Sequence, residues 1–256
     1  LLYWVMVVSV SPRIGVTADE VVHVTGGYSY WKFNDYRLHP ENGTLPMRIG
    51  TAPMFAMDLE FPSTSDPHWL NSHVNLLGET FFFSLGNPVD RMLLVGRATL
   101  ALCGVFVVWL TWRWARGLFG PRAGWLALAL AVFCPTFLAH GGLITSDMTL
   151  AGAMLAALSV CWLLLHRATW PRWLLAGIVC GLTFLSKMSG VIIVPLLGLM
   201  LLVRIARGTP LVTQFGPHAR WWRGRVRVAL AGTGLLASVG ALSLVVLWAG
   251  YGFRYS

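Results

Sequence analysis

Long apolar runs separated by short polar breaks dominate the second half of the chain. Runs at 92–112, 123–139, 148–165 and 228–250 each approach or exceed the roughly 20 helical residues that cross a hydrocarbon core of about 30 Å. The stretch 173–203 would be roughly 46 Å long as a single helix at about 1.5 Å per residue, too long for one untilted span. Lys187, Gly190 and Pro195 interrupt it, so the pattern predicts one helix ending near Lys187 and a second ending near Val203. An apolar run at 1–10, too short to span by itself, reads as part of a first span, residues 1–16, already under way where the sequence starts. The alternative for residues 1–18 is a signal peptide, because Val16-Thr17-Ala18 has the spacing of a cleavage site. Either way residue 19 lies on the outer side.

The expected fold class is therefore all-α: a polytopic membrane protein with about seven spans. Residues 1–16 form the first span, 17–91 an outer loop and 92–250 six further spans. Within the loop, the apolar stretches 45–57 and 76–85 predict short interfacial helices, with a turn-rich segment at 33–43 between the first helical stretch and these. On this reading residues 1–256 are the N-terminal part of one transmembrane domain whose C-terminal part lies beyond the sequence.

Composition agrees with the pattern: 56% of residues are hydrophobic, 11% are charged, and the mean hydropathy is +0.67. Charge then sets the sidedness. Arg113, Arg116 and Arg122, then Arg167 and Arg172, then Arg204, Arg207, Arg220, Arg223, Arg225 and Arg227 fall on one side, which the positive-inside rule makes cytoplasmic. A single helix at 173–203 would move the six-arginine loop outside, a further reason to divide it. The net charge of +9 follows from these loops, which meet anionic headgroups and carry no nucleic-acid motif. Cys103, Cys134, Cys161 and Cys180 fall inside spans without metal-ligand spacing and read as packing residues.

All ten acidic residues are then on the outer side, which directs attention to Asp19 and Glu20. Thr17-Ala18-Asp19-Glu20 is a capping box, which explains an acid pair at a helix start without any chemistry. His23 lies one turn from Asp19 on the same face. Asp147 opens a span, where a carboxylate at membrane depth needs water, a ligand or a partner. Lys187 and Arg97 lie near outer ends of spans, as candidates for binding an anion or for pairing with the acids. Together they describe an outward-facing pocket suited to a phosphate-linked lipid.

The segment "ADEVVHVTGGYSYWKFNDYRLHPENGTLP", followed in order by "HGGLITSDMTLA" and "FLSKMSG", resembles the dolichyl-phosphate-mannose protein mannosyltransferase superfamily, whose bacterial relatives include the lipid A aminoarabinose transferases. The resemblance implies a C-type membrane glycosyltransferase, a hexosyl- or pentosyltransferase of the inner (plasma) membrane. Such an enzyme transfers a sugar from a polyprenyl-phosphate carrier to a protein, lipid or glycan acceptor on the non-cytoplasmic face. It places Asp19 at the catalytic acid position, Glu20 beside it and Asp147 at the second acid. Glu41 takes the glutamate of a Pro-Glu segment that is a metal ligand in some relatives. Asn42-Gly43-Thr44 departs from the relatives' pattern after that glutamate. The need for a divalent metal therefore stays open, with Glu41 and His23 as its candidates.

The chemistry expected of such a site is simple. Polyprenyl phosphate is a good leaving group, so the reaction needs a base for the acceptor's proton and cations for the departing phosphate. Asp19 is the expected base in an inverting displacement, Glu20 holds the acceptor or fixes the helix start, and Asp147 shapes the cavity. Lys187, Arg97 and Arg48 are the expected phosphate contacts, with His23 and Glu41 alongside. The rival readings are a transporter or lipid flippase built on Asp147 and Lys187, and a membrane scaffold without catalysis.

Overall fold

The computed structural model describes residues 1–254, which pack as two compact units, one of residues 1–152 and one from residue 153 onward. The first unit begins with α1 (Leu2–Val10), tied down by Tyr3, which donates a 2.6 Å hydrogen bond to the Phe137 carbonyl. Trp4 donates to the Ala98 carbonyl at 2.9 Å. A 3-10 turn at Ser11–Arg13 leads to α2 (Ala18–Phe33). Thr17 and Glu20 form both bonds of the capping box at its start, and Asn34 closes it in the left-handed region with φ 52°.

The outer loop continues as α3 (Thr44–Thr51), extended by a 3-10 turn at Ala52–Ala56, then α4 (Pro67–Leu70), α5 (Val74–Glu79) and a π turn at Thr80–Ser84. Helices α2 and α3 cross where Gly27 faces Met47. A β-carbon on Gly27 would lie 2.5 Å from the Met47 carbonyl oxygen and 2.8 Å from the Thr51 hydroxyl. Because the obstacle is backbone, Gly27→Ala is expected to push α3 away and destabilise the protein by on the order of 1–3 kcal/mol. Gly234, with open space around it, serves as control. Thermal unfolding in detergent checks this: a lowered midpoint for Gly27→Ala beside an unchanged one for Gly234→Ala is the expected pair.

Helix α6 (Val89–Phe119) is the longest in the unit. It packs its Gly96 against Ile144, Met54 and the Gly50 carbonyl, where no β-carbon would fit. Val24, Tyr28, Met54, Phe81, Phe82, Met92, Leu100 and Ile144 make the core that joins α6 to the loop helices. The run expected as one span at 123–139 is broken into α7 (Pro121–Val132) and α8 (Pro135–Gly141), bent by 55°. Pro135 supplies the cause: it has no N–H for the helix ladder and holds the preceding Cys134 in an extended conformation.

Helix α9 (Asp147–His166) leads into the second unit. There the expected division of 173–203 is present, as α10 (Trp170–Ser186), a 3-10 turn at Met188–Ile192 and α11 (Ile193–Ala206). Lys187 stands between them in extended backbone, and Gly190 sits where a β-carbon would lie 2.4 Å from the Thr183 carbonyl oxygen. Pro195 falls in the first turn of α11, where its missing N–H costs nothing. Helix α12 (Arg225–Gly250) packs on α10, with Leu242 and Val246 filling the space above Gly177 and Gly181.

The expectation of an all-helical chain is corrected by a small sheet in the second unit. Strand β1 (Arg167–Thr169) pairs in parallel with β2 (Leu211–Gln214), which pairs antiparallel with β3 (Arg220–Trp222). The runs are too short to show a period of two, and only the β-branched Val212 and Thr213 and the paired Trp221 and Trp222 hint at them. Among the described residues four helices are long and apolar enough to cross a membrane, or five if the bent α7–α8 pair is one span. The protein is thus mostly helical with multi-pass character; α10, at 17 residues, is a shorter apolar helix.

Candidate functional site

Glu20 and Arg97 form a buried ion pair at the centre of the first unit, 0% and 1% exposed. All five N–H donors of the Arg97 guanidinium are engaged. Nε donates to Glu20 Oε1 at 2.7 Å and Nη2 to Oε2 at 2.7 Å. Nη1 donates to the carbonyls of Ser11 at 2.9 Å and Ile14 at 2.8 Å, and Nη2 also donates to that of Gly15 at 2.8 Å. Glu20 in turn accepts from the Thr17 N–H at 3.1 Å, the Thr17 hydroxyl at 3.0 Å and the Ile144 N–H at 3.1 Å. Burial by itself would raise the Glu20 pKa. The hydrogen bonds from Arg97 and Ile144, the Arg97 charge and the Thr17 N–H outweigh it and hold the carboxyl below its ordinary value.

Of the alternatives open for these two side chains, the geometry shows Arg97 paired with an acid and Glu20 fixing the helix start. Arg97 has no donor left for a carrier phosphate; it binds together the chain after α1, the start of α2 and α6. Glu20 has no surface for an acceptor and fixes the helix start instead, fastening it also to the backbone before α9.

Asp19, one residue earlier, is exposed. Its backbone carbonyl lies 2.7 Å from His23 Nδ1, which must carry the proton because a carbonyl only accepts. The His23 ring meets that of His39 edge to face, centroids 4.8 Å apart. His39 is buried, with Nδ1 3.0 Å from Glu41 Oε1 and Nε2 2.8 Å from the Asn42 amide nitrogen. Asn42 Oδ1 then accepts from the Ser146 hydroxyl at 3.3 Å. Asp147 follows Ser146, with Oδ2 3.6 Å from His140 Nδ1, and both of these side chains are about half exposed. A continuous polar line therefore runs from the Asp19 turn through His23, His39, Asn42 and Ser146 to Asp147.

His39 holds this line in a conformation few residues adopt, φ 58°. Neutral His39, protonated on Nδ1 toward Glu41 and accepting on Nε2 from Asn42, satisfies every neighbour. Burial lowers its pKa, against the opposing charge and hydrogen bond of Glu41 and the charge of Asp19. A histidine with a depressed folded pKa contributes stability that is complete above its unfolded value, about 6.5, and is lost as pH falls through the folded value. His39→Gln is expected to flatten the acid limb of a plot of melting temperature against pH below about 6.5, by at most about 1.4 kcal/mol per pH unit. An unchanged acid limb would show that His39 titrates alike folded and unfolded.

Arg48 lies on α3, half-buried, with its guanidinium carbon 5.2 Å from the ring centroids of both Trp31 and Tyr36. Its Nη2 donates to the Tyr36 hydroxyl, which donates to Asn34 Oδ1 at 3.1 Å. Lys187 belongs to the second unit, half-buried at the break between α10 and α11. Glu41 and His23, the candidate metal ligands, do not gather further donors. Among the described residues no group of three or more His, Cys, Asp or Glu side chains is arranged to hold an ion.

Sequence reading missed His39, His140, Asn42 and Ser146. His39 looked like a turn residue before Pro40, and Asn42 like a departure from a pattern; the structure uses Asn42 as the bridge to Ser146. The available signal was the dipeptide Ser146-Asp147 at a helix start, since a second polar residue there needs a partner as much as the first does.

The family model described as dolichyl-phosphate-mannose-protein mannosyltransferase matches residues 80–222, a stretch that holds Arg97, Asp147 and Lys187. No curated protein and no solved structure gives a match.

Proposed function

The chain belongs to the dolichyl-phosphate-mannose-protein mannosyltransferase family and is a membrane glycosyltransferase, and we propose that it transfers a sugar from a polyprenyl-phosphate carrier to an acceptor hydroxyl or amine on the outer face of the membrane. The observation that carries this reading is the exposed Asp19 carboxylate, set beside a buried Glu20–Arg97 pair that fixes its helix against α6. An enzyme gains from a base held on a rigid element, because the reacting atoms must meet within a few tenths of an ångström.

In the proposed reaction Asp19 accepts the proton of the acceptor while the acceptor's oxygen or nitrogen attacks the anomeric carbon. The bond from that carbon to the phosphate oxygen breaks, its electrons leaving with polyprenyl phosphate, and a single in-line displacement inverts the configuration. Arg48 steadies the leaving phosphate. Asp147, paired with His140, shapes the acceptor side, and His39 and Glu41 hold the loop between the two acids. Glu20 acts through Asp19 as a positioning residue. In this reading residues 1–256 contribute about seven spans, with the site on the non-cytoplasmic side of the inner membrane.

The test is reconstitution in liposomes with a panel of lipid-linked sugars, following release of free polyprenyl phosphate. Release that depends on an acceptor supports the transferase reading and names the donor. Movement of the labelled lipid between leaflets with the glycosidic bond intact would replace it with a flippase.

A further inference from the structure

The second unit contains a preformed apolar cavity of about 370 Å³, within the range of small-molecule sites. Trp170, Trp173, Phe215, Trp222, Ala231 and Leu235 line it, contributed by α10, the sheet and α12. The polar edges of its three indoles are already satisfied. Trp170 donates to the Phe215 carbonyl at 2.8 Å, Trp173 to the Ser238 hydroxyl at 2.9 Å and Trp222 to the Thr213 hydroxyl at 3.0 Å. The walls are therefore ring faces held in fixed orientation, with little to offer a polar ligand.

Positive charge stands on one wall of this apolar space. Arg220 stands with its guanidinium carbon 4.1 Å from the centroid of the Trp222 ring, and Arg223 packs 5.8 Å from that of Trp221. Arg207, Arg220, Arg223, Arg225 and Arg227 are all exposed. No Asp or Glu occurs anywhere in the sequence after Asp147, so this charge has no neutralising carboxylate in its own unit. The exposed rings of Trp170 and Trp221 fit the aromatic belt at a membrane interface.

An apolar slot with Arg220 stacked on its Trp222 wall, in a unit rich in exposed arginines, is complementary to a molecule with an apolar tail and an anionic head. We infer that the Trp170–Trp173–Phe215–Trp222 cavity seats one acyl chain of an anionic phospholipid of the cytoplasmic leaflet, whose phosphate meets Arg220. The inference needs only that the chain is a membrane protein and is independent of the transfer reaction proposed above. The bound lipid would fasten the sheet to the ends of α10 and α12.

Native mass spectrometry of the purified protein in detergent, with phosphatidylglycerol or phosphatidylcholine added at equal concentration, tests it. One phosphatidylglycerol should be retained in preference to phosphatidylcholine. Arg220→Gln should weaken retention about fivefold, the effect of one surface arginine on an anionic lipid. Ala231→Phe, which fills the cavity, should abolish it while leaving the melting temperature of the lipid-free protein unchanged. If Ala231→Phe fails to fold, the exposed Arg220→Gln carries the test by itself. Equal retention of the two lipids, or indifference to Arg220→Gln, overturns the inference. Displacement of phosphatidylglycerol by inorganic phosphate would make this a free-anion site, and stronger retention of polyprenyl phosphate would make it a carrier site; either result also overturns it.

Discussion

Arg97→Leu is expected to lower the stability of the protein by about 3–5 kcal/mol, the cost of removing one member of a buried ion pair. Three segments lose their common fastening at once, because the guanidinium binds the carbonyls of Ser11, Ile14 and Gly15 as well as both oxygens of Glu20. Glu20 would be left ionised with no exposed surface, and a buried charge without its partner is the larger part of the penalty. Arg97→Lys should rescue little, since an ammonium has three donors on a flexible stem and cannot reproduce a planar fork reaching five acceptors. Glu20→Leu combined with Arg97→Leu should recover part of the loss, because no charge is then stranded; a double-mutant cycle on thermal midpoints in detergent measures that coupling. The pH dependence has a definite sign. The depressed pKa of Glu20 supplies stability that is complete above its unfolded value, about 4.3, and disappears as pH falls through the folded one. A normal midpoint in Arg97→Leu would remove the clamp from this account. Such a midpoint together with weakened donor binding would return Arg97 to the role of a phosphate contact.

The part of this site that sequence makes legible is the part built from neighbours. Thr17 and Glu20 are three residues apart, and the capping box follows from that spacing alone. The partner that changes the meaning of Glu20 lies 77 residues away on α6, a separation that no local pattern encodes. Gly27 illustrates the same limit: its need for a missing side chain arises from the Met47 carbonyl of another helix, and the sequence there shows only a Gly-Gly pair. The membrane helices were readable because their length and composition answer to the lipid rather than to one another. Their exact breaks were readable only where proline or glycine supplied the cause, as at Lys187–Gly190. At 123–139 the apolar run hid Pro135, since a bend there interrupts the helix without interrupting the hydropathy. The polar line from Asp19 to Asp147 was partly visible as its two ends. Its middle, His39, Asn42 and Ser146, depends on a left-handed turn at His39 that brings a loop against the start of α9.

Asp19→Asn is expected to reduce sugar transfer by about 10²–10⁴-fold while leaving the fold intact. The side chain is exposed and, among the described residues, forms no ion pair; the amide is nearly the same size as the carboxylate, so packing does not change. The cap of α2 survives, because it rests on Thr17 and Glu20, and the His23 contact survives, because it uses the Asp19 backbone carbonyl. What the substitution removes is the ability to accept a proton, so turnover should fall with donor affinity little altered. Two magnitudes separate this from the alternative in which Asp19 only favours the positive end of a helix. That electrostatic role is worth about 0.3–1 kcal/mol of stability and nothing in the barrier. Loss of a general base raises the barrier by about 3–5 kcal/mol, at 1.36 kcal/mol per factor of ten. Measuring kcat, donor KM and the thermal midpoint on one preparation therefore distinguishes them. A collapse of kcat with a midpoint shifted by less than about 1 kcal/mol assigns the proton to Asp19. Undiminished turnover would move the base elsewhere along the line, with Asp147 and its partner His140 the next pair to test.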